Sequence, residues 1–395
     1  MLSRGVLLAL VASCGLGNVH PYDYAPAELE QMGLHDSAAY VAQVLMPQDQ
    51  LALVLAHPRL GQPQIRRAGE PLDVSWLAPN LTCQPAAISL STGMALADAP
   101  GTCDDRGICH MTVATPDLAP GLYGLCVAVA GVFDCSPSAL AIVDHYADPA
   151  TVVHISDAHV GDGGSLAVFT DVIDAIDALD PPPDLVVFTG DAADTGLADQ
   201  RGDFIAQIAR LAVPVYVVTG NHDYDALGIE GHLVDIGPEL DLDAWYGGLH
   251  LLGLSSGQDL DDGEHDTTIS ESSGPDASQL AWLRDSLDDT TPTVTFLHHP
   301  IYNGLFATVG PDARDTLKSL VTRPNMLAVL AGHTHTSAVF DADGNSRGLS
   351  LDSGVVPPDR WPLHYVASRA TKDSGGFAVL HLGASHVDYR WVALP

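Results

Sequence analysis

The sequence has 395 residues, with 50 acidic against 16 basic side chains, so its formal net charge is −34 at neutral pH. This length accommodates two or three domains, since domains usually contain ~100–200 residues. With 46% hydrophobic residues the chain can bury a sizeable core, which excludes a disordered acidic tail. The negative charge disfavours nucleic acid or an anionic lipid surface as a partner, because phosphate groups are repelled by such a field.

The first fourteen residues have the pattern of an export signal. Arg4 precedes an apolar run from Val6 to Ala12, which is too short to span a bilayer as a helix of ~20 residues. The residues Val11 to Cys14 resemble a bacterial lipobox, in which the cysteine is lipidated and becomes the mature N-terminus. We therefore predict a lipoprotein-type signal over residues 1–14, lipidation at Cys14 and a place at the outer membrane or cell surface. Any membrane contact would be made through this lipid alone. The alternative location is the periplasm or the medium, as a secreted protein.

The other five cysteines also indicate export. They lie in one 53-residue window, and the last 260 residues contain none: Cys83, Cys103, Cys109, Cys126 and Cys135. Such clustering predicts disulfides formed in an oxidising compartment, and Cys103 with Cys109 is the easiest local pair because the two flank a short turn. The remaining connectivity stays open, since five cysteines leave one unpaired while retention of Cys14 would allow three bridges. A zinc site is the competing interpretation, but the window contains no CxxC pair.

Changes of pattern divide the rest of the chain into three segments. Residues 15–60 form a lead segment with a helical pattern over residues 26–46. Residues 61–148 contain about six short apolar stretches separated by glycine and proline, which predicts a small disulfide-containing β-sandwich. Residues 149–395 alternate buried-type strands with helical stretches, which indicates a layered α/β architecture.

Polar side chains follow five strands of the α/β segment. In sheets of this kind ligands bind at the carboxyl ends of the strands. Asp-x-His and His-x-His sequences place two ligands on one face, and mixed His, Asp and Asn donors suit Zn, Mn or Fe. Two such ions would need a bridging carboxylate, activate a water and clamp a phosphoryl group. The five motifs are Asp157-Ala158-His159, Gly190-Asp191, Gly220-Asn221-His222-Asp223, His298-His299-Pro300 and Gly332-His333-Thr334-His335.

In this order the motifs resemble those of the calcineurin-like metallophosphoesterases, over about residues 150–395. The resemblance implies a four-layer α/β/β/α sandwich with a centre of two divalent or trivalent metal ions at one edge. In the fourth motif it assigns the metal ligand to His298 rather than His299, because the family places this ligand two residues before the proline. The implied ligands are Asp157, His159 and His335 for one metal, Asp191 as the bridge, and Asn221, His298 and His333 for the second metal.

The resemblance also implies roles for residues beside the ligands. His222 would contact the phosphate or protonate the leaving oxygen, and Asp223 would orient His222 and stabilise its charge. Tyr302 and Asn303 lie in a stretch similar to a loop of the purple acid phosphatases and are predicted to line the substrate pocket. Asp194 stands where purple enzymes place their iron-binding tyrosine, so a coloured Fe(III)–tyrosinate site is not expected.

The sequence therefore predicts an exported, metal-dependent phosphoesterase. It would hydrolyse small phosphomonoesters or phosphodiesters by attack of a hydroxide activated by two metal ions. Two alternatives stay open: a surface binding or structural lipoprotein with an incidental metal site, and a nuclease of the same superfamily. The scarcity of basic residues disfavours the nuclease. The metal, the ester preference and the oligomeric state stay undetermined at this level.

Overall fold

The computed structural model describes residues 27–46, 52–79, 84–115, 117–257, 274–302, 309, 311–346, 348–367, 369–371 and 375–394. The predicted signal segment, Cys14, Cys83 and Asn303 lie outside these residues, and what we expect of them stays a prediction. Among the described residues, none of the helices has both the length and the apolar character that a membrane span requires.

The lead segment is helical, as its pattern predicts, but broken into short pieces. Two α-helices, α1 (Ala27–Met32) and α2 (Ser37–Tyr40), are joined by a 3-10 turn, and a π-helical turn follows over Val41–Leu45. Their apolar side chains pack on one side against the β-sandwich and on the other against the α/β unit. This cluster includes Leu29, Leu34, Tyr40, Leu77, Ile108, Ile229 and Leu233. The lead helices are therefore the contact layer between the other two units.

Nine strands of the described residues form a β-sandwich of two sheets. One sheet has the order β1-β3-β7-β6 and the other the order β2-β9-β8-β4-β5. The unit starts earlier than residue 61, at β1, and has more strands than the pattern indicates, partly because β2 and β6, with three and two residues, are too short to show alternation. The strands are β1 (Val54–His57), β2 (Gln64–Arg66), β3 (Pro71–Leu77), β4 (Pro85–Leu90), β5 (Ala95–Pro100), β6 (Thr102–Cys103), β7 (Ile108–Ala114), β8 (Gly121–Val129) and β9 (Val132–Ile142).

Two disulfides join neighbouring strands of the sandwich. Cys103 pairs with Cys109, as we predicted, and links β6 to β7. Cys126 pairs with Cys135 and links β8 to β9. Each bridge therefore closes a short loop beside a core that contains the buried Trp76.

The α/β unit follows, and the part of it that the structure describes has twelve strands and five α-helices. The strands are β10 (Ala150–Ile155), β11 (Leu185–Thr189), β12 (Val215–Val218), β13 (Leu242–Tyr246), β14 (Leu249–Leu254), β15 (Thr293–Leu297), β16 (Met326–Ala331), β17 (Ala338–Phe340), β18 (Ser353–Val355), β19 (Leu363–Val366), β20 (Gly376–Gly383) and β21 (His386–Ala393). The helices are α3 (Ser165–Asp177), α4 (Ala198–Ile208), α5 (Gly228–Asp235), α6 (Ala277–Ser286) and α7 (Pro311–Val321). Short 3-10 helices cover Asn221–Leu227 and Pro358–Arg360.

These elements stack in four layers, which confirms the predicted α/β/β/α sandwich. The first sheet has the order β12-β11-β10-β20-β21-β18 and the second the order β13-β14-β15-β16-β19-β17. A core that includes Tyr216 and Phe296 fills the space between the sheets. Helices α3 and α4 cover the outer face of the first sheet through Phe169 and Phe204, and α6 and α7 cover the second.

The strands that carry the motifs run parallel within each sheet. Strands β10, β11 and β12 are parallel neighbours in the first sheet, and β14, β15 and β16 are parallel neighbours in the second. Their carboxyl ends meet at one edge, where the Gly332 amide donates to the carbonyl of His298 and the Asp157 amide donates to the carbonyl of Gly190. All five motifs are thus brought to a single edge of the double sheet.

Candidate metal centre

The seven predicted ligands lie together at this edge and form two half-sites. The aspartate half-site consists of Asp157, His159 and His335. The Nε2 atoms of its two histidines are 3.1 Å apart, and His335 Nε2 is 3.3 Å from Asp157 Oδ1. Asp191 lies within the same group.

The amide half-site consists of Asn221, His298 and His333. Asn221 Oδ1 is 3.1 Å from His298 Nε2 and 3.0 Å from His333 Nδ1, and these two nitrogens are 3.2 Å apart. The three atoms form a nearly equilateral triangle. Such a triangle is the arrangement in which three lone pairs can point at one ion.

Asp191 stands between the two half-sites. Its Oδ2 atom lies 3.4 Å from His159 Nε2 on one side and 3.2 Å from His298 Nε2 on the other. One carboxylate oxygen therefore faces a ligand nitrogen of each half-site. This is the position that a bridging carboxylate must occupy.

The donor chemistry fits metal ions. His298 Nδ1 donates to the carbonyl of Thr189 at 2.7 Å, and His159 Nδ1 donates to the Asp194 carboxylate at 3.2 Å. In neutral rings, both Nε2 atoms then present lone pairs to the Asp191 carboxylate, so acceptors face acceptors. A proton on each ring, or a shared cation, resolves this conflict. The buried set of nitrogen and oxygen donors suits two ions of the Zn, Mn or Fe type.

The charges of the cluster shift the pKa values of its members strongly. Burial would raise the pKa of the Asp157 carboxyl, but hydrogen bonding by His159 and His335 holds it well below its ordinary value. Burial likewise lowers the pKa of the His298 imidazole, yet the adjacent Asp191 carboxylate outweighs this effect and raises it to about 9. The carboxylates of the site therefore stay ionised only because positive charge lies beside them.

The ligand backbones adopt an unusual conformation. Asp157, His159, Asp191, His333 and His335 have φ values of 56°, 42°, 57°, 71° and 54°. Only two other non-glycine residues in the described chain, in the β-sandwich, have positive φ. Each such residue costs of order 1–3 kcal/mol and persists only where the surroundings enforce it. The loops are thus held under strain in the geometry that brings the ligand atoms together.

Two positions in the motifs require glycine because neighbouring side chains lie too close to leave room for a Cβ atom. A Cβ at Gly332 would collide with the side chains of Ser156 and Asp157, and one at Gly220 would collide with Asp191. These glycines let the two loops close over the carboxylates. The same positions were selected by the sequence motifs.

His222 lies next to the cluster, as predicted. Its backbone amide donates to Asp191 Oδ1 at 2.9 Å, and its ring Nδ1 donates to the carbonyl of Asp194 at 2.6 Å. The ring contacts His159 edge to face, with centroids 4.5 Å apart. Because Nδ1 is engaged, Nε2 is the ring atom left for a substrate oxygen.

The partner that we predicted for Asp223 is wrong. Its buried carboxylate does not contact His222 but accepts four backbone amides, from Gly220, Asp191, Ala192 and Ala193, at 2.9–3.2 Å. The orientation of His222 comes from Asp194 instead. Asp223 therefore ties the loop that carries Asp191 to the loop that carries Asn221.

Tyr302 is placed away from the cluster. Its hydroxyl donates to the carbonyl of Ala342 at 2.9 Å, and its ring packs against Phe340 and His364. None of its contacts among the described residues is with a metal-site residue. The predicted role of Tyr302 in lining the substrate pocket receives no support from this position, and Asn303 lies outside the described residues.

Two residues that support the ligands were missed by the motif pattern. Asp194 holds His159 through its side chain and His222 through its carbonyl. Ser256 is fully buried, and its Oγ accepts the amides of His298 and His299 at 3.1 and 3.0 Å. The sequence did contain a signal for Ser256, because this residue comes just after the buried strand β14, in the same way that each motif comes just after its own strand.

Comparison with known proteins decides the family. Residues 150–337 match the family model described as calcineurin-like phosphoesterase. A cAMP/cGMP dual specificity phosphodiesterase of Mycobacterium tuberculosis is 32% identical over 225 residues, which cover 51% of this chain and 67% of the relative. The chain belongs to the calcineurin-like phosphoesterase family. Members of this family use dinuclear metal centres, and the phosphoesterase described here has a His/Asp cluster suited to one.

Other similar proteins agree with this assignment. A probable glycerophosphodiester phosphodiesterase of Arcobacter nitrofigilis is 27% identical over 262 residues, which cover 54% of the phosphoesterase and 88% of the relative. A purple acid phosphatase from yellow lupin superposes with a TM-score of 0.51 at 15% identity, covering 87% of this chain and 72% of the lupin chain. The lupin structure supports the fold alone.

Proposed function

We propose that the phosphoesterase hydrolyses small phosphodiesters at the metal cluster. The observation that carries the proposal is the position of Asp191, whose one oxygen faces both half-sites at 3.2–3.4 Å. The two relatives described above are both named as phosphodiesterases, of cyclic nucleotides in one case and of glycerophosphodiesters in the other. These names favour a diester over a monoester as the substrate class.

Different residues of the chain have different roles around the reacting phosphorus. Two metal ions, when bound, would lower the pKa of an attacking water and stabilise the charge of the phosphoryl group. Asp191 fixes the relative position of the half-sites, and Asp223 fixes the loop that carries Asp191. His222, held by Asp194, can donate a proton from Nε2 to the leaving oxygen.

We also propose that the protein is exported and anchored at the cell envelope through lipid on Cys14. The two disulfides support an oxidising compartment. Labelled palmitate should enter the full-length chain expressed in a bacterium, and the Cys14→Ala chain should stay unlabelled. Equal labelling of both chains would exclude Cys14 as the lipid site, and no labelling of either would favour soluble export.

A rate comparison on one preparation tests the function. An aryl phosphodiester and an aryl phosphomonoester are supplied to the metal-depleted protein with added Mn²⁺ or Zn²⁺, and single-stranded DNA is tested alongside. We expect metal-dependent turnover with the diester faster than the monoester and with DNA left intact. A faster monoester would make the enzyme a phosphatase, and cleaved DNA would make it a nuclease.

The Asp191→Ala variant tests the site itself. Removing the shared carboxylate should lower bound metal from two ions to one or none, and turnover should fall by ~10³-fold or more. Asp203→Ala, an exposed aspartate on α4, is the matched control and should behave like the native chain. Native turnover in Asp191→Ala would refute the assignment of this cluster as the active site.

A further inference from the structure

A sixth stretch of chain, which follows β19, also reaches the edge where the motifs meet. Strand β19 runs parallel to β16, which carries the fifth motif, so the carboxyl ends of both strands lie at this edge. The residues after β19 cross from the second sheet to the first, and we call residues 367 and 369–371 the crossing segment. The Ala367 amide donates to the carbonyl of Ala331 in β16, and the Ala370 amide donates to the carbonyl of Ser156, directly after β10.

Arg369 is the charged residue of the crossing segment. Its side chain is only 16% exposed and makes two hydrogen bonds. Nη2 donates to Asp162 Oδ2 at 2.7 Å, and Nε donates to Thr371 Oγ1 at 3.1 Å. The rigid guanidinium thereby fixes two partners at once. Arg369 lies outside the five motifs, so the ligand pattern assigns it no role.

The bond to Asp162 leads to the chain just after His159. The Asp162 amide donates to the carbonyl of His159 at 3.0 Å, which closes a tight turn. Ser165 Oγ donates to the same carbonyl at 2.6 Å. By holding the Asp162 carboxylate, Arg369 therefore restrains the turn through which the chain leaves the metal ligand His159.

The bond to Thr371 leads to the chain just before His159. The Thr371 hydroxyl donates its one proton to the carbonyl of Ala158 at 3.1 Å, so its oxygen accepts from Arg369. Ala158 is fully buried, between the ligands Asp157 and His159. Arg369 therefore orients the hydroxyl that holds the peptide between these two ligands.

The loop that these two routes reach is strained. Asp157 and His159 have φ values of 56° and 42°, and such backbone persists only where the surroundings enforce it. An exposed ion pair alone contributes little to stability. Arg369 differs from such a pair because its two bonds act on the residues on both sides of His159. The loop is thus restrained on either side of its histidine ligand by one side chain.

We propose that Arg369 is a positioning residue of the aspartate half-site, which clamps the loop of Asp157 and His159 from both sides. The inference rests on the proposed function, because that proposal makes this loop a metal-binding loop. Arg369 acts through Asp162 and Thr371 and not by contact with the ions.

Calorimetric titration of the metal-depleted full chain with Mn²⁺ tests the proposal. Arg369→Gln removes both the charge and the fork of donors. One of the two binding events should weaken by ~10-fold or more while the other stays native, since the loss of a residue that holds a ligand typically has this effect. The weakened event should be the one that Asp194→Asn also weakens, because Asp194 holds His159.

Turnover gives a second measurement on the same variant. With limiting Mn²⁺ the rate on an aryl diester should fall in Arg369→Gln, and excess Mn²⁺ should restore it. The matched control is Arg323→Gln, which changes an arginine with a 22% exposed side chain, 3.0 Å from the exposed Asp289. This control should titrate and turn over like the native chain.

Two further variants keep the test decisive. Arg369→Lys keeps the positive charge but not the fork, so the same binding event should stay weakened. If Arg369→Gln does not fold, Thr371→Val takes its place. It keeps the shape of the side chain but removes the hydroxyl that holds Ala158, and should weaken the same event by a smaller factor.

Three results would overturn the proposal. They are native binding in Arg369→Gln, equal weakening of both events, and full recovery in Arg369→Lys, which would leave charge alone as the effect. Failure of the native chain to bind two ions would be a different outcome, because it would refute the metal centre itself and this inference with it.

Discussion

The two halves of the metal cluster share Asp191 but are built from different donors. The aspartate half-site adds the carboxylate of Asp157, and its His335 side chain is 31% exposed. The amide half-site adds only the neutral oxygen of Asn221, and its His298 is fully buried. One half is therefore more negative, and the other is nearly neutral.

This difference implies that two bound ions would not be equivalent. The additional carboxylate favours divalent charge in the aspartate half-site, so we expect this half to fill first during metal titration. Each half-site also has its own supporting residue outside the ligand set. Asp194 holds His159, whereas Ser256 holds the backbone of His298. The halves can thus be perturbed separately.

His222 stands on the side of the aspartate half-site, because its ring contacts His159 and its Nδ1 is bonded to Asp194. We predict that His222→Ala lowers the turnover number for an aryl diester by ~10²–10⁴-fold, the usual contribution of a positioned proton donor. Bound metal should stay at the native level, because no half-site loses a ligand. Metal analysis and steady-state rates on one preparation measure both quantities.

A substrate with a better leaving group sharpens this prediction. If His222 protonates the leaving oxygen, the defect of His222→Ala should shrink as the leaving group becomes more acidic. A defect of constant size would assign His222 to phosphate binding instead. Native turnover in the variant would remove it from the reaction altogether.

Asp194→Asn is predicted to weaken the aspartate half-site alone. The substitution removes the charge that holds His159 Nδ1, and the loss of such a partner typically costs 10–100-fold in metal affinity. Two-step metal titration should show the first binding event weakened and the second unchanged. Asp235→Asn, which changes the last aspartate of α5, an acceptor for Arg201 of α4, is the matched control. Equal weakening of both events would show that the half-sites are not separable.

The sequence predicted which side chains gather at one edge of the double sheet, because their spacing follows directly from strand geometry. Asp157 and His159 are two residues apart after β10 and lie together in the aspartate half-site. His333 and His335 are also two residues apart, but His335 joins the aspartate half-site and His333 the amide half-site. The pairing of Cys103 with Cys109 followed from the same kind of local distance.

The supporting contacts could not be predicted in this way. Asp223 is adjacent to His222 in sequence, yet the turn of the 3-10 helix sends its carboxylate to the amides of Asp191, Ala192 and Ala193. Tyr302 follows the ligand loop by only a few residues but packs on His364. Such contacts depend on the direction in which each loop leaves its strand, and the positive φ values of the ligand residues are a result of tertiary structure that no local pattern encodes.

Ser256→Ala is predicted to have the smallest effect, confined to the amide half-site. The hydroxyl accepts two buried amides, and leaving such groups unsatisfied costs ~1–3 kcal/mol. The backbone of His298 can relax by a small shift, so we expect the second metal-binding event to weaken by ~10-fold or less while the first is unchanged. Ser319→Ala, on the exposed face of α7, is the control for loss of a serine hydroxyl. A weakened first event with an intact second one would reverse our assignment of these supports, because it would mean that the nearly neutral half-site does not depend on the serine that holds its buried histidine.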